Sequence, residues 1–206
     1  MARYRGPVCR LQRRLGADLS LKRFRPYGKK EREYPPGQHG NRKGRMRVSD
    51  YGVQLQEKQK AKFLYGLLEN QFRSYYHKAT RMHGATGENL LRLLESRLDN
   101  IVFRMGFAMT RAHARQLVHH NHFLVNGKKV NVPSYQVKVG DSVELREKSR
   151  QIPNIQLAWN MAGSGGAAEW VTRNVEGFSA TLDRLPEVEE IKIPIKENLI
   201  VEFYSR

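Results

Sequence analysis

Cysteine occurs once in this 206-residue chain, at Cys9, so one copy can build neither an internal disulfide nor a thiolate cage for zinc. There is no apolar run of the roughly 18 residues that a membrane-spanning helix needs. Residues 1–25 are studded with Arg and Lys where a secretion signal carries an unbroken apolar core. A cytoplasmic location away from membranes is therefore expected. No proline follows Ser49 until Pro133, so a helix can start there. Catalytic patterns are missing too: no Gly-rich phosphate loop, Ser-His-Asp arrangement or metal-spaced set of carboxylates stands out. Asp99 and Asp141 read as fold residues, at a helix and a turn. The expectation is that the chain is not an enzyme and needs no cofactor.

Acid is also scarce. Twenty Asp and Glu face 37 Lys and Arg, which leaves a formal charge of +17 and a pI near 10.2. With 39% hydrophobic residues the chain can build a core, so the excess belongs to a folded protein whose partner is a polyanion. Nucleic acid fits such an excess better than a membrane or an acidic protein does. The charge is uneven. Residues 1–50 carry fifteen Lys or Arg against four acids, 51–95 seven against four, 96–150 ten against four, and 151–206 five against eight. The first three quarters should meet the polyanion, while the acidic tail, with Glu187, Glu189 and Glu190, should meet protein.

Residues 1–48 are rich in Gly, Pro and Arg without helical period, and they read as a loop-rich basic arm. Within it, Tyr34-Pro-Pro-Gly-Gln-His-Gly40 is a turn, stiff at its prolines. Ser49-Asp50 is a cap for a helix over residues 53–78, where Leu55, Phe63, Leu64, Leu67, Leu68 and Phe72 alternate with Lys58, Lys60, Lys62 and Arg73. Residues 84–87 form a turn, and Glu88 opens a helix to about residue 105, with Leu90, Leu91, Leu94, Leu98, Ile101, Val102 and Met105 on one third of its circumference. Arg97 and Arg104, seven residues apart, lie beside that stripe. Gly106 stops the helix, and Thr110 caps another that runs to about residue 121. There Arg111, Arg115 and His119 flank the inward arc of Ala114, Leu117, Val118 and Asn121. Four arginines beside packed stripes on consecutive helices are candidates for phosphate contact, with folding independent of them.

A hairpin follows, Phe123-Leu-Val125 with Val130-Asn-Val132 around Asn126-Gly127-Lys128-Lys129, because Asn-Gly readily takes positive φ angles. A second strand pair, over 135–139 and 142–146, completes a small sheet. The histidines His119, His120 and His122 gather at a helix end without cysteine or carboxylate company, so no metal site is expected from them.

Arg97-Leu-Asp-Asn100, Arg104-Met-Gly106, Thr110-Arg111, Ala114-Arg-Gln-Leu117, Val125-Asn-Gly127 and Val139-Gly-Asp141 resemble the RNA-binding module named after bacterial small-subunit ribosomal protein four. The opening Met-Ala-Arg-Tyr-Arg-Gly-Pro7, the Pro35-Pro-Gly-Gln-His-Gly40 turn, Tyr51-Gly-Val-Gln-Leu-Gln-Glu-Lys-Gln-Lys60 and Glu197-Asn-Leu-Ile-Val-Glu-Phe-Tyr-Ser-Arg206 resemble that ribosomal protein family itself. Some of its members hold zinc with four cysteines, the first two spaced C-x-x-C; here Cys9 takes the first place and Gln12 the second, so the chain resembles the zinc-free form.

The resemblance implies a ribonucleoprotein constituent of the 30S small subunit, a primary binder of 16S ribosomal RNA at a multi-helix junction in the 5′ domain. It further implies that binding nucleates assembly of the subunit body and influences translational accuracy. Its implied neighbours are small-subunit ribosomal protein five, functionally proteins three and twelve, and the channel by which messenger RNA (mRNA) enters. The residues then expected to meet RNA are Arg3, Tyr4, Arg13, Arg14, Lys22, Gln38, His39, Arg42, Lys43, Arg45 and Arg47 in the arm. Lys58, Lys60 and Arg73 follow in the long helix, and Arg97, Arg104, Arg111, Arg115, Gln116, His119, Asn126 and Lys128 in the module.

Pseudouridine synthases and tyrosyl-tRNA synthetases carry similar modules, but each needs a catalytic domain. Outside the module this chain offers a basic arm, one long helix and a tail. A non-ribosomal RNA-binding factor is a second alternative, against which the whole-chain resemblance speaks. The expected fold is α+β: a basic arm (1–48), a helical domain (49–95 with 161–206) closed by a strand at Ile200, Val201 and Phe203, and an inserted module (96–160) of two helices packed on a small antiparallel sheet.

Overall fold

The computed structural model describes residues 4–19, 34–41, 48–163 and 168–206. The expectations placed on Arg3, Lys22, Arg42, Lys43, Arg45 and Arg47 lie outside them. The described chain is α+β and divides into two compact units, 1–90 with 193–206 and 91–192.

In the first unit α1 (Val8–Leu15) buries Leu11 and Leu15, and α2 (Asp50–Leu64) starts where the Ser49 hydroxyl accepts the Gly52 amide at 3.3 Å. The helix expected to run through residue 78 is two helices, because the chain leaves α2 through Gly66 at φ +64 and restarts as α3 (Glu69–Thr80). Leu67 at that corner is buried and its amide reaches back to the Lys62 carbonyl at 2.9 Å, which closes the end of α2. Next, α4 (Thr86–Glu95) crosses the boundary between the units.

The second unit holds a further break. The helix expected from Glu88 to about residue 105 stops at α4 and resumes as α5 (Leu98–Arg104), although every apolar residue of its stripe is buried. Arg97 is extended (φ −67°, ψ 139°) and bridges Gln136, while the Leu98 amide donates to the Tyr135 carbonyl and the Val137 amide to the Ser96 carbonyl, both at 2.8 Å. The same bonds explain why 135–139 is not the expected strand: its polar backbone is committed to Ser96–Leu98.

Then follow α6 (Arg111–His119), capped by Thr110, β1 (Phe123–Val125), β2 (Lys128–Lys129), β3 (Ser142–Leu145), α7 (Pro153–Gly163), β4 (Val171–Asn174) and β5 (Ser179–Leu182). Asn126 and Gly127, at φ +49 and +74, make a two-residue hairpin turn, so β1 pairs with Lys128–Lys129 instead of with the expected 130–132. The five strands are antiparallel in the order β2-β1-β3-β5-β4. Alternate residues Phe123, Val125, Val143, Leu145, Ala180 and Leu182 face a core shared with Leu98, Ile101, Val102, Ala114 and Val118, and with Phe107 stacked on Trp159 at 4.4 Å.

Residues 161–192 were expected with the helical domain. They belong to the second unit, because Ser179, Ala180 and Thr181 pair with β3. Only the last residues return, and they return as helix: α8 (Glu197–Tyr204) occupies the place of the expected closing strand. The three- and four-residue spacing of Ile200, Phe203 and Tyr204 suits α8 packing against α2, with Phe203 5.5 Å from Tyr51.

Candidate nucleic-acid interface

The module's four arginines are not a solvent-facing row. Arg97 is 1% exposed and donates from Nε and Nη2 to the Asp99 carboxylate at 3.0 and 2.8 Å, and buried Arg115 approaches the same carboxylate at 3.5 Å. Glu95, fully buried, accepts from Asn100 Nδ2 at 2.6 Å and from Nε and Nη2 of Arg104 at 2.8 Å each. Arg104 also donates to the Ile191 carbonyl at 3.2 Å. Arg111 donates to Asn100 Oδ1 at 2.7 Å and lies 3.8 Å from Glu95. The expectation that folding is independent of these arginines is thereby corrected. Two buried acids gather four guanidinium groups, and the side chains of Arg104 and Arg111 keep 17% and 13% of their surface open. Desolvated carboxylates require such partners. No sequence spacing announces the pairs, because the break at Ser96–Arg97 is what turns Glu95 and Asp99 towards their donors.

Elsewhere in the module Gln116, His119, Asn126 and Lys128 are exposed. Asn126 is also built into the turn: Nδ2 donates to Asp141 at 2.8 Å and Oδ1 accepts the Ser142 amide at 2.9 Å. Asp141 in turn accepts the Lys138 amide at 2.8 Å, a structural use like that of Asp99. His122 Nδ1 lies 2.8 Å from Ser149 Oγ, and burial pushes the imidazoles of His113 and His122 below their ordinary value. Among the described residues no group of three or more His, Cys, Asp or Glu is placed to hold a metal ion.

In the first unit Tyr4 is exposed with its ring edge-on to Phe63, and Arg14, Gln38 and His39 are exposed. Arg13 ties α1 to the proline turn by donating to the Tyr34 carbonyl at 3.2 Å. Gln12, at the place of the second cysteine, is buried and donates to Asp18 at 2.8 Å. Two lysines expected on an open basic face are placed otherwise. Lys58 is buried with its ammonium 2.9 Å from both oxygens of Glu69, and Lys60 pairs with Glu57. Burial raises the pKa of Glu69, but hydrogen bonds from Lys58, Tyr204 and Lys62 outweigh it and hold the carboxyl below its usual value.

Arg73 does face outward. Around it Asn70, Ser74, His77, Lys78 and Arg81 line a groove of about 510 Å³. Of this group only Arg73 is expected at RNA from the sequence; the four-residue step from Arg73 through His77 to Arg81 is the available signal.

Comparison with known proteins gives this geometry its context. The family model described as "Ribosomal protein S4/S9 N-terminal domain" matches residues 3–95, and the model of the "S4 domain" matches residues 96–143. The chain is 55% identical over 210 residues to the small ribosomal subunit protein uS4 of Natranaerobius thermophilus and 54% identical to that of Citrifermentans bemidjiense. It is 56% identical over 208 residues to that of Teredinibacter turnerae. Each match covers 100% of both chains. With the module's helices and sheet in place and the likeness running end to end, this chain belongs to the uS4 family of small ribosomal subunit proteins.

Proposed function

We propose that this chain is a structural constituent of the small ribosomal subunit that binds 16S ribosomal RNA at a multi-helix junction of the 5′ domain. In this reading it nucleates assembly of the subunit body and thereby influences translational accuracy. The observation that carries the reading is the identity to uS4 proteins along the whole chain. It acts in the cytoplasm within the ribosome, by binding and not by catalysis.

Exposure supports RNA contact by Tyr4, Arg14, Gln38, His39, Arg73, Gln116, His119 and Lys128. Arg104 and Arg111 offer their open edges, while Arg97 and Arg115 act from inside, by holding Asp99 and with it the start of α5. Contacts spread over both units suit recognition of a folded junction through phosphates and sugars. The exposed acids Glu187 and Glu189 suit a protein neighbour, for which small-subunit ribosomal protein five is the candidate.

Chemical footprinting of 16S RNA by the purified chain tests the reading. Protections should cluster in the 5′ domain without other proteins present, and the chain should stay on 30S particles through a high-salt wash. Absence of protection, or release in the wash, would refute direct primary binding.

A further inference from the structure

α3 has two dissimilar sides. Phe72, Tyr76 and Ala79 are buried, and the Tyr204 ring stacks on Tyr76 at 4.7 Å and on Phe72 at 6.3 Å. On the opposite side Asn70, Ser74 and Lys78 form one row and Arg73, His77 and Arg81 another, all exposed and together lining the groove. Arg73, Lys78 and Arg81 make no ion pair among the described residues. The one acid of α3, Glu69, is occupied by Lys58, Lys62 and Tyr204 at 2.9, 3.1 and 2.8 Å, and among the described residues no carboxylate lines the groove.

We propose that this face of α3 is a docking stripe for the sugar-phosphate backbone of double-helical RNA. The inference rests on the ribosomal RNA reading and assigns a part of the contact to a specific surface. Four residues of helix advance about 6 Å, comparable to the separation of neighbouring phosphates on one strand. Each row can thus match consecutive phosphates with a donor at every step. Asn70, Ser74 and His77, interleaved with the three cations, supply hydrogen bonds for phosphate oxygens and 2′-hydroxyls. Among the described residues no Phe, Tyr or Trp lines the groove, whereas proteins that bind single strands stack bases on such rings. A helix is also too wide for the deep, narrow major groove of A-form RNA, which leaves the backbone and the shallow groove as the surface it can follow.

The test uses the full chain with Arg73→Ala, Lys78→Ala and Arg81→Ala combined, and in parallel Arg73→Lys with Arg81→Lys, which keeps the charges. Binding to 16S RNA is measured against salt, with backbone cleavage footprinting at each condition. The alanine variant should keep its melting temperature, and the slope of log affinity against log salt should fall by about three units, one for each cation removed. It should lose protection over a stretch of duplex backbone, and the lysine variant should retain both slope and protection. If the unaltered chain binds and the alanine variant matches it in slope and footprint, the stripe is refuted while the ribosomal RNA reading stands. If the unaltered chain fails to bind, both fall. If the alanine variant keeps RNA binding and loses only a protein neighbour in the assembled subunit, the stripe serves an acidic protein surface and the RNA assignment is overturned.

Discussion

The arginines around α5 and α6 and the cations of α3 look alike on a helical wheel, yet they are used in opposite ways. In the second unit every arginine beside the packed stripes has a buried acid within reach, and Arg97 is wholly inside. In the first unit Arg73, Lys78 and Arg81 face outward, and among the described residues no acid lines their groove. The difference lies in the acid and not in the base. Glu95 and Asp99 sit where the helix breaks, are shielded from water, and would be strongly destabilising if left without donors. Glu69 of α3, still partly open to solvent, is instead taken up by Lys58, Lys62 and Tyr204, which leaves the outer cations to a partner. A basic helix face thus becomes scaffold or contact surface according to whether a buried carboxylate lies beside it.

The largest effect that can break this comparison comes from Arg97→Ala. Removing one partner of a buried ion pair costs about 3–5 kcal/mol, because Asp99 stays behind with its charge poorly compensated. Urea unfolding of the full chain should show a transition at clearly lower denaturant, with Arg115 unable to replace both bonds. A midpoint equal to that of the unaltered chain would mean that Arg97 is a surface residue in solution, and the contrast with α3 would disappear.

A smaller effect separates two lysines of the first unit. Lys58 is buried against Glu69, whose other donors are Lys62 and Tyr204, so Lys58→Ala should cost about 1–3 kcal/mol. Lys78→Ala, on the open face, should cost less than about 0.5 kcal/mol. Melting temperatures of the two variants measured together provide the check; equal losses would show that Lys78 also supports the fold.

These pairings mark the limit of what the sequence made legible. The Thr110 and Ser49 caps and the Asn126-Gly127 turn are local signals, and each is present in the structure. Apolar periodicity runs through both helix breaks and hides them: the one at Tyr65–Gly66 turns on Gly66 at positive φ with local bonds closing α2, and the one at Ser96–Arg97 on long-range bonds to Tyr135 and Val137. The place of the tail also depends on long-range pairing. Ala180 and Leu182 fit a strand, but only their pairing with β3 and β4 assigns 171–182 to the second unit. Which arginine is buried depends on all of this, so the sequence offers candidates for an RNA surface as a residue type and not one by one.

The smallest effect concerns a third kind of pair, on the acidic surface of the second unit. Arg184 grips Glu190 with both Nη atoms, one of the bonds at 2.7 Å, and the Glu187 amide adds a third donor at 2.9 Å. The arginine's hydrogen bond, ahead of the backbone one, lowers the Glu190 carboxyl from the ordinary 4.5 to about 2. A depressed carboxyl stabilises the folded form above its unfolded value, and that contribution disappears as pH falls from about 4.5 through about 2. Because the pair is open to solvent, salt should screen it and the effect should stay local. A carboxyl-carbon NMR titration should find Glu190 near pH 2 in the unaltered chain. In Arg184→Ala the midpoint should move up towards 4.5 and stop short of it, since the Glu187 amide still donates. A Glu190 midpoint that is ordinary in the unaltered chain, or that Arg184→Ala leaves in place, would show that this pair does not persist in solution. The separation of buried acids that organise arginines from exposed acids that merely meet them would then be sharper still.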